Sequence, residues 1–201
     1  MTVSAKWSTD GQRYADRLVS LQTAWWKRIV PVQAPYRWNL RRLRPGFTLE
    51  VGCGLGRNLA HLDGHGVGVD HNPELVAAAR RRGLDAFTID EFAKSEFARP
   101  DGFDSLLASH VVEHMTTAEA TDVLAGYLPY VKPSGQVIVL TPQERGYTND
   151  PSHVSFATYD EVRAMFASLG LDTVKQYSFP LPRAFGRVFV YNEFVSVAKK
   201  P

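Results

Sequence analysis

Four side chains with metal-binding chemistry stand close together in the second half of this chain. His110, Glu113 and His114 lie in the run Ser109-His110-Val111-Val112-Glu113-His114-Met115, and His153 follows in Asp150-Pro151-Ser152-His153. If a helix begins at the first run, positions 110, 113 and 114 share one side of one turn. Imidazole and carboxylate donors together suit a divalent cation of borderline hardness. A His and a Glu three apart also form ordinary surface pairs, and a lone loop histidine is often solvated. Spacing alone therefore leaves both readings open. Without a metal, a general base would have to come from Glu144, Tyr147 or Asp150 of the same loop as His153.

A second constellation is Glu50-Val51-Gly52-Cys53-Gly54-Leu55-Gly56. It is expected to follow a strand and precede a helix, where Gly52, Gly54 and Gly56 let the backbone turn sharply and approach a ligand. A nicotinamide or flavin fingerprint, G-x-G-x-x-G, needs a small residue at position 57, where this chain has Arg57. Twenty residues after Glu50 comes Asp70, placed to accept both hydroxyls of a ribose. Asp90, at the end of a third strand, is placed for an adenine amino group, with Phe92 as an apolar cover. Cys53, between glycines, reads as a small packing residue.

The elements that must hold these groups follow from apolar runs alternating with helical patterns, which favour βα units. Strands are expected at 48–51, 66–69, 86–89, 104–109 and 136–141, and helices at 58–62, 73–82, 117–130 and 159–169. Pro73 suits a first helical turn, and Gly83 and Gly170 suit helix ends. Two further strand-like runs, 172–177 and 187–198, have no helix between them and read as an antiparallel hairpin closing a mostly parallel sheet. Ligands in such a sheet bind outside the carboxyl ends of the strands, where Ser109, His110 and His153 fall.

A chain of 201 residues with 44% hydrophobic and 22% charged residues buries one core, so one domain is expected over 1–201, with 1–45 as a helical cap or lid and 46–201 as the core. A formal charge of +2 is far from the balance of an obligate nucleic-acid binder. The basic runs at Arg41, Arg42, Arg44 and Arg80 to Arg82 read as solvated helix faces. One cysteine excludes an internal disulfide. The first ten residues lack the apolar run of a signal peptide, and no stretch is long enough to span a membrane, so a cytoplasmic protein is expected. The aromatics Trp25, Trp26, Tyr36, Trp38, Tyr147 and Phe156 read chiefly as packing for the cap and a lid.

The run Glu50 to Gly56, the acidic Asp70 and Asp90, and the turn Val131-Lys132-Pro133-Ser134-Gly135 together resemble the class I S-adenosyl-L-methionine (SAM) dependent methyltransferases across Phe47 to Lys199. The resemblance implies a Rossmann-like, doubly wound α/β fold with a seven-stranded, mostly parallel sheet and an antiparallel C-terminal hairpin. It also implies SAM bound by Glu50, Gly52, Gly54, Gly56, Asp70, Asp90 and Ser109. Glu113 and His114 match the E-H of the E-x-x-E-H motif of small-RNA 3'-terminal 2'-O-methyltransferases, and His153 matches their later histidine. His110 stands where that motif has its first Glu, which leaves the metal's identity open. Ubiquinone-pathway O-methyltransferases have a similar E-H element. The shared implication is a divalent metal, Mg or Mn favoured, held by His110, Glu113, His114 and His153 against an acceptor with adjacent hydroxyls. A small-molecule or oligosaccharide acceptor is expected, similar to those of sugar 1-O-methyltransferases, rather than a nucleic acid or a membrane, and a homodimer is compatible with the chain.

Overall fold

A computed structural model describes residues 32–201. Trp25, Trp26 and the first 31 residues of the expected cap lie outside the described residues. The elements that frame the site begin with α1 (Ala34–Arg42), β1 (Thr48–Val51), α2 (Arg57–His61), β2 (Gly66–Asp70), α3 (Pro73–Arg81), β3 (Ala86–Thr88), α4 (Ile89–Phe92) and β4 (Phe103–Ser109). They continue with α5 (Thr117–Tyr127), β5 (Val131–Pro142), α6 (Glu144–Tyr147), α7 (Tyr159–Ser168), β6 (Asp172–Phe179) and β7 (Glu193–Lys199). Short 3-10 turns cover Val112–His114 and Arg183–Arg187.

One seven-stranded sheet runs in the order β3-β2-β1-β4-β5-β7-β6, the doubly wound α/β arrangement. Strands β1 to β5 pair in parallel, and β7 lies antiparallel between β5 and β6. Every residue of β1 and β2 is buried, as expected of parallel strands covered by helices on both faces. Leu49, Val67, Leu106 and Val137 are fully buried in one apolar layer, while Leu107, Ile138 and Val195 pack the other side against Leu40 of α1. Each such side chain contributes about 1.5–3 kcal/mol. The strand order reverses between β1 and β4, so the cleft opens at their carboxyl ends.

Local chemistry sets the helix boundaries. Asn72 caps α3, its side chain accepting from Glu74 N at 3.0 Å with Pro73 in the first turn. Thr88, Thr116 and Thr158 each form a capping box with a Glu three residues later, at the starts of α4, α5 and α7.

Several expectations shift. Thr88 and Glu91 turn Ile89 into the first residue of α4, so Asp90 lies exposed in a helical turn and does not end β3. Phe92 is buried against Phe103, Tyr127 and Tyr130, which makes it core and not a ligand cover. The 131–135 turn is absorbed into β5 as an irregularity with Ser134 at φ +61°, because Phe103 pairs Val131 while Ser105 pairs Gln136. The last strand starts at Glu193, because a 3-10 turn over Arg183–Arg187 is followed by further turns up to Tyr191.

Candidate active site

The glycine loop leaves β1 and enters α2. Gly52 and Gly56 have φ of +67° and +71°, and an added Cβ would strike Val111 Cγ2 at 2.3 Å and Leu84 Cδ1 at 2.4 Å respectively. Gly54, at φ +53°, faces open space, with nothing within 4 Å of an added Cβ. That is the geometry of a backbone cradle awaiting a ligand. Asp70 ends β2 and braces the loop, its Oδ2 accepting from Gly54 N at 2.8 Å and its Oδ1 from Asn72 N at 2.9 Å. Oδ2 retains a second lone pair that a ribose hydroxyl could use, while His71 Nδ1 lies 3.5 Å from Oδ1.

Glu50 is 1% exposed. Asn58 donates to its Oε1 at 2.7 Å, and its Oε2 is buried without a partner. Burial, partly offset by Asn58 and by the charge of Arg57, raises its pKa from 4.5 to about 7. Ser109, ending β4, also has a buried hydroxyl without a partner. Asn58, Ser109, Arg57, Tyr36 and Glu193 line one cavity between α1 and the sheet edge. Buried polar atoms left unsatisfied are costly, so these two oxygens mark where a polar ligand belongs. Cys53 is buried, burial first and then Glu50 and Asp70 pushing its thiol far up, consistent with packing rather than nucleophilic work.

Three of the four expected metal donors converge. Ligand atoms of Glu113, His114 and His153 lie within 4.8 Å of one another. Glu113 is fully buried, and its Oε2 lacks a partner. His153 Nδ1 lies 2.7 Å from the Tyr147 carbonyl, which can only accept. The ring hydrogen therefore sits on Nδ1 and the lone pair on Nε2. His114 Nδ1 lies 3.2 Å from Ser152 Oγ. That hydroxyl donates to Asp150 Oδ1 at 2.8 Å, so it accepts from His114 and again leaves the lone pair on Nε2. Burial pulls His114 below its usual pKa, more than Glu113 pushes it up, which keeps the imidazole neutral. The loop is tied to the turn by Val154 N donating to Glu113 O at 2.7 Å.

His110 stands apart from the trio, correcting the expectation of a shared helical face. No α-helix begins there. His110 has φ +57°, and the chain then makes a single 3-10 turn. Its Nε2 meets Glu193 Oε1 at 2.8 Å and its Nδ1 meets Glu113 Oε1 at 3.2 Å. Burial lowers its pKa, but the two carboxylates outweigh that and bring it to about 9. An imidazolium donating from both nitrogens has no lone pair for a metal. Its position suits it to orient Glu113.

Glu144 is also committed, in a two-point ion pair with Arg183 that lowers its pKa. Tyr147 stacks on His153 at 5.3 Å and 20°, and Asp150 holds Ser152. The residues the sequence reading passed over are Glu193, Asn58, Ser152 and Arg57. A visible signal for Glu193 was an acidic residue opening an otherwise apolar strand, Glu193-Phe194-Val195.

Comparison with known proteins agrees with this geometry. Residues 49–137 match the methyltransferase domain family. The chain is 25% identical over 154 residues to a ubiquinone biosynthesis O-methyltransferase of Xanthomonas euvesicatoria, covering 68% of this chain and 64% of the relative. It is 32% identical over 101 residues to "Probable tRNA methyltransferase 9B" of Homo sapiens, covering 49% of this chain and 20% of that protein. It thus spans less than two thirds of the length of either. A SAM-dependent methyltransferase from Archaeoglobus fulgidus superposes with a TM-score of 0.65 at 20% identity, over 82% of this chain and 93% of that one. The fold is the class I SAM-dependent methyltransferase fold. Within it, this chain is similar to enzymes named for O-methylation and for tRNA methylation. Among the described residues no helix is long and apolar enough to cross a membrane.

Proposed function

We propose that this chain is a SAM-dependent O-methyltransferase that uses a divalent cation to activate one of two adjacent hydroxyls on its acceptor. The observation that carries the reading is the Glu113, His114 and His153 trio, two tautomer-fixed imidazoles and a buried carboxylate oxygen in need of a partner. A divalent cation there supplies Lewis acidity that lowers the pKa of an acceptor hydroxyl and fixes its oxygen for attack. Glu113, His114 and His153 would hold the ion, and two imidazoles among three donors would favour Mn over Mg.

The residues divide the labour. Gly54 and Asp70 hold the nucleoside end of SAM, and Glu50 receives its cationic methionine end. Asp150, through Ser152, orients His114, and His110 with Glu193 orients Glu113. A sugar diol is the acceptor class favoured by the sequence, and the likeness to a ubiquinone biosynthesis O-methyltransferase supports O-methylation. The ribose of an RNA end is a second diol, and the partial likeness to "Probable tRNA methyltransferase 9B" supports an RNA acceptor in general.

The test is a methyl-transfer screen with labelled SAM over oligosaccharides, ribonucleotide ends and catechols, on protein stripped with EDTA. Turnover that is absent after stripping and returns with Mn or Mg is expected. Undiminished turnover in stripped protein would overturn the metal reading, and no turnover on any acceptor would leave a SAM-binding protein without this activity.

A further inference from the structure

Two helices beside the glycine loop bring basic side chains face to face. Arg37 and Arg41 are four residues apart on α1, and Arg57 and His61 are four apart on α2, so each pair shares one side of its helix. The helices pack together, and Arg41 Nε donates to the His61 carbonyl at 2.6 Å. Arg82, just past α3, joins them by donating to the Leu55 carbonyl. Burial first, and then the charges of Arg57, Arg37, Arg41 and Arg82, push His61 down to about 4. His61 is 8% exposed, and its Nδ1 is buried without a hydrogen-bond partner.

Charge here is only partly compensated, with buried Glu50 close enough to feel Arg57 and with Glu193 on the same cavity as Arg57. Among the described residues, the carboxylate ion-paired with this group is Asp63, 2.5 Å from Arg41. Among the described residues Arg37 and Arg57 are in no ion pair, and Arg57 lines the cavity that also contains Ser109 and Glu193. Glu193 reaches His110, and His110 reaches Glu113 of the trio. Guanidinium groups offer forked donors that match phosphate oxygens, and clustered positive charge concentrates anions.

We infer that the face between α1 and α2 is a phosphate subsite, gripping a phosphate carried by the acceptor while the acceptor's hydroxyls lie toward Glu113, His114 and His153. The inference rests on the proposed methyl-transfer reading and narrows its acceptor to a diol joined to a phosphate. Phosphorylated sugars and the terminal ribose of RNA share that chemistry.

Inorganic phosphate titrated calorimetrically into the SAM-loaded full chain tests the subsite without metal or turnover. Wild type should bind, and Arg37→Gln and Arg57→Gln should each weaken binding about tenfold or more. Arg37→Gln should keep the wild-type melting temperature and SAM affinity, since Arg37 is exposed and outside the cofactor cradle. Ribose 5-phosphate and a short oligoribonucleotide, titrated in parallel, separate the sources: the tighter of the two names the acceptor class. No phosphate binding by wild type, or equal binding by the Arg37→Gln/Arg57→Gln double variant, would overturn the subsite. Metal-independent turnover would overturn the proposed function while leaving the phosphate titration to stand on its own.

Discussion

Replacing Glu50 by Gln is expected to stabilise the free protein while loosening its hold on SAM. Glu50 is 1% exposed, with Asn58 on one oxygen and nothing on the other. Burial raises its pKa from 4.5 to about 7. Between those values the folded chain keeps a proton that the unfolded chain has released, so stability falls as pH rises through the window. Above pH 7 the folded state carries the full cost of a buried carboxylate, about 3 kcal/mol. Glutamine keeps an oxygen for Asn58 and brings no charge, but its amide leaves donors unpartnered at a cost of about 1–3 kcal/mol. The net gain at pH 8 is on the order of 1 kcal/mol, or about 2–4 °C in a chain of this size. At pH 5, where Glu50 is protonated in the folded state, the gain disappears. Binding runs the opposite way. A cationic ligand favours ionised Glu50, so wild-type SAM affinity should rise with pH up to about 7, while Glu50→Gln should bind about tenfold or more weakly with no such rise. Thermal melts and SAM calorimetry at pH 5.5, 7 and 8 measure both. A variant less stable than wild type at pH 8, or one with wild-type SAM affinity, would refute the reasoning.

The other predictions use the same geometry. Gly54→Val should keep its fold, losing about 1–3 kcal/mol to left-handed strain, yet fail to bind SAM by calorimetry. Gly52→Val should instead unfold the protein on a thermal melt, because its Cβ meets Val111 at 2.3 Å. Asp70→Ala removes the acceptor for Gly54 N and Asn72 N, and should lower both SAM affinity and melting temperature. His110→Gln should weaken Mn binding only about 10–100-fold, as for a group that orients a ligand. His114→Ala should abolish Mn binding by calorimetry and leave SAM affinity unchanged.

What was legible in the sequence were features set by local rules. Alternating apolar runs placed all seven strands, and Pro73, Gly83 and Gly170 marked helix ends that the structure keeps, with Gly83 and Gly170 at positive φ. The glycine loop was legible because no other residue tolerates those angles so close to Val111 and Leu84. The arrangement around His110 was not legible. Glu193 lies 83 residues away and reaches His110 because β7 inserts beside β5. Spacing along one run treated His110 as the equal of His114, whereas a left-handed residue at 110 sends the two imidazoles to different partners. Asp90 was misplaced by a capping box, a short-range competitor that ended β3 one residue early. Arg41 and Arg82 read as solvated faces in the sequence, and Arg37 and Arg57 drew no site reading, since only packing brings the four together around His61.

The trio is tested most directly by anomalous diffraction from crystals of the SAM complex soaked in Mn. The account predicts one strong peak bonded to a Glu113 oxygen, His114 Nε2 and His153 Nε2, at roughly 2.0–2.3 Å from each, with His110 turned to Glu193. No peak at saturating Mn, or a peak ligated by His110 in place of one of the three, would contradict it.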